Sequence, residues 1–118
     1  MENKLVYLAV PYTHEDPNVR QLRFEMVNKV AGVLINRGEY IYSPISHCHS
    51  IALVEDLPKE WEYWELYCRA FMRCCGKMYV LMIDGWKESI GVQAEIKIAN
   101  EMGIDIIYLD YNVIVTKS

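Results

Sequence analysis

Short apolar runs alternate along the chain with stretches in which apolar residues recur at every third or fourth position. Four of these runs predict buried strands, because residues that break regular structure bound each of them. They cover residues 4–10, 40–43, 77–83 and 104–109, and residues 112–115 could add a fifth strand. All of them are too short for a membrane span, which needs about 18–20 consecutive apolar residues.

Three stretches between the predicted strands carry helical periodicity. Asp16 and Pro17 predict the N-terminus of the first helix, and Gly38 predicts its end. The second helix starts near Pro58, and the third runs from a Ser89 cap to Gly103. The apolar stripes of the three helices comprise Val19, Leu22, Met26, Val30 and Val33; then Trp61, Trp64, Cys68, Met72 and Cys75; and then Val92, Ile96, Ala99 and Met102.

The order of these elements predicts the fold class. Strands that alternate with helices indicate one α/β domain over residues 1–118, a small doubly wound (Rossmann- or flavodoxin-like) parallel sheet of four to five strands with helices on both faces. Residues 43–58 predict a loop that is too long for a plain connector, and therefore a binding loop. Polar segments follow three strands, and we expect them to converge on one pocket.

Composition excludes several classes of protein. The chain has 118 residues, of which 53% are hydrophobic, and a net charge of −4. This fits one folded domain and argues against disorder and against a protein that coats nucleic acid. The first residues lack the pattern of a secretory signal, so we expect a cytoplasmic protein. Its four cysteines, Cys48, Cys68, Cys74 and Cys75, are then expected to be reduced thiols.

The common metal, nucleotide and hydrolase motifs do not occur in the sequence. It contains no Walker A segment, no G-x-G-x-x-G and no G-x-S-x-G. The tripeptide His47-Cys48-His49 is the only cluster that resembles a set of metal ligands, and a zinc site needs three or four ligands. We therefore expect neither a metal nor a cofactor.

Glu95 is a candidate for catalysis. It lies early in the third predicted helix at the border of the apolar face, where a partly desolvated carboxylate could act as nucleophile or base, or could simply satisfy the helix dipole. Ser89 caps the same helix, and a capped N-terminus can also hold an anion. Tyr7 and Tyr12 flank the end of the first strand and could stack on a base or hold a hydroxyl, or could pack in the core.

Four further candidates each have a structural alternative. Arg20 and Arg23 lie in the first turns of the first helix and could reach a phosphate, or could be solvated surface residues. Asp84 follows the third strand and precedes glycine, a position that suits a turn. Trp86 could line a pocket or cover the edge of the sheet.

Four segments resemble the nucleoside 2-deoxyribosyltransferase-like superfamily, namely residues 7–23, 43–51, 57–65 and 85–103. Within it, the chain is similar to a small bacterial and phage branch and to the 2′-deoxynucleoside 5′-phosphate N-hydrolases. The resemblance extends from Leu5 to about Tyr108. Its most specific part is the pattern S-x-G-x-x-x-E, formed here by Ser89, Gly91 and Glu95.

The resemblance implies an N-glycosidase that acts as a homodimer on a small nucleotide, a (deoxy)nucleoside 5′-monophosphate, and not on nucleic acid or at a membrane. Glu95 is then the nucleophile that attacks the anomeric carbon, and Tyr7 positions Glu95 or the sugar. Ser89 implies a phosphate, because relatives that act on free nucleosides carry an acid there, which would repel the phosphate. The implied substrate-binding residues are Ser89, Gly91, Pro11, Tyr12, Arg20, Arg23, Ser43, His47, His49, Asp84 and Trp86.

Three positions depart from the pattern of that superfamily. Val10 stands in place of a glycine, and Cys68 and Gly76 each stand in place of an aspartate. The first of these aspartates is taken to help protonate the leaving base, and a thiol has a much higher pKa than a carboxyl group. The departure implies slow catalysis, another acid, or no catalysis. Candidates for another acid are His47, His49 and Glu65.

Two other functions therefore remain open. The domain could bind a nucleotide or a nucleotide-derived signal in a pocket that has lost its chemistry, in which case the nucleotide would be recovered intact. It could also be an interaction module that uses the second predicted helix, which is rich in tryptophan and tyrosine. A pocket that is indifferent to ligands would favour that interpretation.

Overall fold

The structure, a computed structural model, describes residues 3–116 of the chain. Its strands are β1 (Leu5–Ala9), β2 (Tyr40–Tyr42), β3 (Lys77–Leu81) and β4 (Asp105–Leu109). Its helices are α1 (Pro17–Asn36), α2 (Pro44–Glu55), α3 (Trp61–Met72), α4 (Ile90–Met102) and α5 (Tyr111–Thr116). Among these residues, no helix has both the length and the apolar character that crossing a membrane requires.

The four strands form one parallel sheet in the order β2-β1-β3-β4. This confirms the predicted α/β class and the parallel sheet. The chain leaves β1 toward one edge of the sheet to form β2, and it then returns to the other side of β1 to form β3. The boundary between β1 and β3 is thus the point where the order reverses, which is the usual place for a binding crevice in open α/β sheets.

The two faces of the sheet bury different residues, because successive side chains of a strand point to opposite sides. Val6 and Leu8 belong to a core cluster that also contains the buried side of α1 and is covered in part by α5. We call this the aliphatic face. Tyr7 and Ala9 belong to a second cluster with α3 and α4, which we call the site face.

The predicted helix ends of α1 and α4 are confirmed. Asp16 caps α1 by accepting a hydrogen bond from the backbone N–H of Asn18 at 2.9 Å. Ser89 caps α4 by accepting from the N–H of Val92 at 3.1 Å. Gly103 ends α4 with a φ of +73°, a conformation that glycine adopts without steric cost.

Two predicted elements were wrong. Residues 43–58 are mostly helical, because Pro44 occupies the first turn of α2 and the helix buries Cys48, His49 and Ala52. The prediction failed because these buried residues are polar or small and do not read as an apolar stripe. The C-terminal segment forms α5 and not a fifth strand, because its apolar residues pack against the aliphatic face as a helix.

Smaller corrections concern the apolar stripes and the start of the second predicted helix. Leu22 is 55% exposed, while Arg23, the next residue, is buried. Cys75 is buried but lies beyond the end of α3, and α3 begins at Trp61, three residues after Pro58. The strands are also one or two residues shorter than their predicted ranges.

Candidate functional site

Glu95 lies in the second turn of α4 with only 4% of its surface exposed. The hydroxyl of Tyr7 donates a hydrogen bond to Glu95 Oε2. The pleat of β1 places the Tyr7 ring on the site face, where it meets α4. The carboxyl group is thereby held in one orientation by a side chain that is itself completely buried.

Burial changes the protonation of this pair. Desolvation raises the pKa of Glu95 to about 8, and the hydrogen bond from Tyr7 opposes that rise. The pKa of Tyr7 is also raised, first by burial and then by the negative charge of Glu95, so Tyr7 remains a hydrogen-bond donor. Near neutral pH the protonated form of the Glu95 carboxyl group is therefore favoured, and the carboxylate becomes dominant above about pH 8.

A cavity of about 440 Å³ opens beside Glu95 at the carboxyl ends of β1 and β2. The loop after β1 contributes Tyr12 and Thr13 to its wall, and α2 contributes Cys48 and His49. The indole rings of Trp61 and Trp64 and the N-terminus of α4 complete the enclosure. The α4 residues are the cap, Ser89, and the first two helical residues, Ile90 and Gly91. The volume and the mixture of aromatic and polar groups suit a small organic ligand.

The N-terminus of α4 forms one side of this cavity. The Ser89 hydroxyl accepts from Val92, and the backbone N–H groups of Ile90 and Gly91 lie in the first turn, where a helix offers no internal acceptor. These N–H groups and the positive end of the helix dipole favour an anionic group of a ligand. A Cβ atom added to Gly91 would lie 3.8 Å from Trp61 and 3.9 Å from Ser89, so space alone does not require glycine there.

Cys68 lies on α3, is buried, and also lines the cavity. Burial raises the pKa of its thiol to about 12, and the charge of Glu95 adds to this effect. The thiol therefore stays neutral at physiological pH and is a very weak proton donor. This matches its predicted packing in the stripe of α3 beside Met72.

A chain of hydrogen bonds links the cavity wall to α1. Tyr12 Oη and His49 Nδ1 are 2.6 Å apart, and His49 Nε2 lies 3.2 Å from Gln21 Oε1. With Gln21 Oε1 as the acceptor, His49 carries its proton on Nε2, and Tyr12 then donates to Nδ1. Burial and then the charge of Arg20 lower the pKa of His49, which keeps the ring neutral. The ring is stacked on Phe24 with a centroid separation of 4.1 Å.

Charged groups gather at the wall formed by the start of α3 and the start of α4. Glu60 and Glu62 come from the first, and Glu88 comes from the second, while Lys59 is the single lysine or arginine among the lining side chains. These carboxylates are exposed, so solvent screens them in part. Within residues 3–116, no group of three or more histidine, cysteine, aspartate and glutamate side chains is arranged to hold a metal ion.

The comparison with protein families covers this whole site. Residues 4–110 match the family described as "Domain of unknown function (DUF1937)". The chain belongs to this DUF1937 family. A search among curated proteins found no match. Every residue that lines the cavity falls within the part that the DUF1937 model matches.

Five of the residues predicted for the site in this DUF1937 domain line the cavity. Tyr7 lies outside the lining and donates a hydrogen bond to one of them, Glu95. The five are Tyr12, His49, Ser89, Gly91 and Glu95. Seven others are not among the lining residues. They are Pro11, Arg20, Arg23, Ser43, His47, Asp84 and Trp86.

These seven have other surroundings. The Ser43 hydroxyl is buried without a hydrogen-bond partner, and Pro11 is fully buried. Trp86 packs against Tyr108 with a centroid separation of 5.6 Å, and the exposed His47 lies against Tyr42, Tyr67 and Phe71. Arg20 donates to the carbonyl of His14. Arg23 donates to the carbonyls of Thr13 and Asp84.

Sequence reasoning missed several lining residues. Trp61 and Trp64 were assigned to an apolar stripe, and these residues at the N-terminal end of that stripe also line the cavity. Cys48 was considered only as a thiol or a metal ligand, since the helix that carries it was not predicted. The charged residues of the wall had no signal of their own, because exposed glutamates occur throughout the chain.

Proposed function

We propose that this protein is an N-glycosidase that cleaves the bond between base and sugar in a nucleoside 5′-monophosphate. The observation that carries the proposal is the buried Glu95 carboxyl group, held by Tyr7, in the wall of a cavity that the N-terminus of α4 also lines. A carboxylate in an enclosed site can react at the anomeric carbon, and a helix N-terminus can hold the phosphate of the same ligand.

The reaction follows from the roles of these groups. An oxygen of the Glu95 carboxylate attacks the anomeric carbon, the bond from that carbon to the base nitrogen breaks, and its electron pair leaves with the base. The leaving base takes a proton from solvent. Water then attacks the same carbon and loses a proton to solvent, and the bond to Glu95 breaks to restore the carboxylate. Tyr7 holds Oε2 in place through both steps, because its hydroxyl donates to that oxygen.

The wall of the cavity supports a monophosphate over more highly charged nucleotides. The N–H groups of Ile90 and Gly91 offer donors for a phosphate at the start of α4. Glu60, Glu62 and Glu88 line the same cavity and would repel the additional charges of a diphosphate or triphosphate. The resemblance of the Ser89–Glu95 segment to enzymes that act on nucleoside monophosphates supports the same substrate class.

One observation favours a second function, the binding of a nucleotide without cleavage. Cys68 stands where the resembling superfamily carries an aspartate that helps the base to leave, and burial raises the pKa of the Cys68 thiol to about 12. A thiol of this kind cannot replace a carboxylic acid as proton donor. A cavity that keeps its donors but lacks the acid would bind a nucleotide tightly and release it intact.

The test is the release of free base from a panel of ribonucleoside and deoxyribonucleoside monophosphates, followed by chromatography. We expect release by the wild-type protein and a decrease of at least about a thousandfold in Glu95→Gln. Glu101→Gln is the matched control, because Glu101 lies on the same helix but is exposed, and it should retain full activity.

A third variant separates the two functions. Cys68→Asp restores a carboxyl group beside the cavity and should increase base release if the wild-type protein is a slow enzyme. If neither the wild type nor Cys68→Asp released base, the proposal that the protein is an N-glycosidase would be wrong. Tight binding of a nucleotide that is recovered unchanged would then support the second function.

A further inference from the structure

Arg23 is a buried cation whose guanidinium bridges two loops. It lies in the second turn of α1 and is only 9% exposed. Its Nη1 donates to the carbonyl oxygen of Thr13 at 3.1 Å, and its Nη2 donates to the carbonyl oxygen of Asp84 at 3.2 Å. Thr13 belongs to the loop between β1 and α1, and Asp84 belongs to the loop between β3 and α4.

Both bridged loops supply walls of the cavity. The first contributes Tyr12 and Thr13, and the second contributes Glu88 and Ser89 at the start of α4. The planar guanidinium presents its N–H donors in a fixed fork, so two bonds from one such group fix the separation of the two carbonyls. The distance across this part of the cavity therefore depends on a side chain that is not in its lining.

Gly85 gives independent support for this close contact. A Cβ atom at this position would lie 2.5 Å from Arg23 Nη2, and the φ of Gly85 is +91°. Both facts favour glycine, because the loop passes directly over the guanidinium in a conformation that other residues rarely adopt. The loop after β3 is thus shaped around the Arg23 side chain.

We propose that Arg23 is a positioning residue that sets the separation between Tyr12 and the N-terminus of α4. The expected effect on nucleotide binding rests on the proposed function. The bridge between the two loops does not depend on that function. It differs from the expectation that Arg23 binds the phosphate. Nη1 and Nη2 each donate to a backbone carbonyl, and Arg23 does not line the cavity.

Arg23→Lys tests the bridge, because lysine keeps the positive charge but loses the planar fork. Arg37→Lys is the matched control, since Arg37 Nη2 donates to the carbonyl of Ile114 at 3.2 Å, away from the cavity. We expect Arg23→Lys to accelerate amide hydrogen exchange in residues 11–16 and 82–89. We also expect KM for the monophosphate to rise about tenfold with kcat within about twofold. The control should leave both measurements unchanged.

A second variant reaches the same contact from the other side. Gly85→Ala places a methyl group against the guanidinium and should reproduce the faster exchange and the higher KM, even if Arg23→Lys is too unstable to assay. Unchanged exchange in both loops in either folded variant would overturn the proposal.

The substrate dependence distinguishes positioning from direct binding. If Arg23→Lys raised KM for the monophosphate but not for the corresponding nucleoside, and exchange stayed unchanged, Arg23 would be a phosphate ligand and the proposal would be wrong. If the wild-type protein released no base at all, the proposed function would fail. The exchange measurement, which needs no substrate, would still decide whether Arg23 holds the two loops.

Discussion

The two faces of strand β1 differ in the chemistry that they bury. On the aliphatic face, Val6 and Leu8 belong to a cluster of mostly aliphatic side chains that includes the buried side of α1. On the site face, Tyr7 lies between them in sequence and donates to the buried carboxyl group of Glu95. A shift of one residue along the strand thus separates a face that stabilises the fold from one that can carry a reaction.

The comparison shows how the molecule tolerates a buried acid. Burial of a carboxylate is costly unless hydrogen bonds compensate for the lost water. One hydrogen bond from Tyr7 compensates only in part, because the pKa of Glu95 is still raised to about 8. The aliphatic face, which buries side chains such as Leu8 without such a penalty, supplies stability that the site face lacks.

The largest expected effect on stability lies on the aliphatic face. Leu8→Ala removes a completely buried side chain from the centre of the sheet and should lower the free energy of unfolding by about 2–5 kcal/mol. Chemical denaturation measures this loss. Base release per folded molecule should not change, because Leu8 points away from the cavity. A loss of activity in the folded variant would show that the two faces are not independent.

On the site face, Glu95→Gln hardly changes the volume of the side chain, and we expect it to raise the stability of the protein where Leu8→Ala lowers it. Glu95→Gln should raise the free energy of unfolding by up to about 5 kcal/mol at pH 9, because the amide avoids burial of a negative charge. The wild-type protein binds more protons when folded than when unfolded between the ordinary pKa of glutamate and about 8. Its stability should therefore fall as pH rises through that window.

Denaturation at several pH values checks this prediction. The difference between the wild type and Glu95→Gln should be small at pH 4, grow through neutral pH and level off above about pH 8. Glu101→Gln, on the exposed side of α4, keeps Glu95 and should follow the wild type across the same pH range. A constant difference across the range would contradict the raised pKa of Glu95.

A smaller effect should follow from removal of the Tyr7 hydroxyl. The hydrogen bond from Tyr7 lowers the pKa of Glu95, so Tyr7→Phe should move the rise of kcat/KM with pH about one unit higher. Tyr79→Phe is a control that removes a hydroxyl from the neighbouring strand, where it donates to Glu39 on the other face. An unshifted pH profile in Tyr7→Phe would argue that Glu95 is not the titrating nucleophile.

The smallest expected effect concerns the hydrogen-bond chain behind the cavity wall. Gln21→Glu places a carboxylate against His49 Nε2 and should raise the pKa of that ring, which burial and Arg20 keep low in the wild type. NMR titration of the histidine ring signals measures the change. His14 and His47 in the same sample are internal controls. If the His49 titration did not move, Gln21 would not be its partner in solution.

Much of this architecture could be predicted from local patterns. The first four predicted strands, the caps at Asp16 and Ser89, and the end of α4 at Gly103 depend on neighbouring residues alone, and all were confirmed. α2 and α5 could not be predicted in this way. α2 buries polar and small side chains against tertiary partners, and α5 carries β-branched residues that favour a strand in isolation.

The site shows the same division between local and distant information. The position of Glu95 on an amphipathic helix made it a candidate, the resemblance favoured it as the nucleophile, and the structure buries it beside a cavity. The contacts that hold the site join residues that are distant in sequence, such as Tyr7 with Glu95 and Tyr12 with His49. The bridge from Arg23 to Asp84 has no local signal either, because a surface arginine and a buried one look the same in a helical repeat.

The most direct test of the proposed mechanism is a mass measurement of the protein during turnover. The protein would be mixed with a 2′-fluoro analogue of a nucleoside monophosphate, because the fluorine slows hydrolysis of a glycosyl-enzyme, and then quenched in acid. We predict an added mass equal to the sugar phosphate on the peptide that contains Glu95, and no such adduct in Glu95→Gln. Release of base from the analogue with Glu95 unmodified throughout would contradict the account.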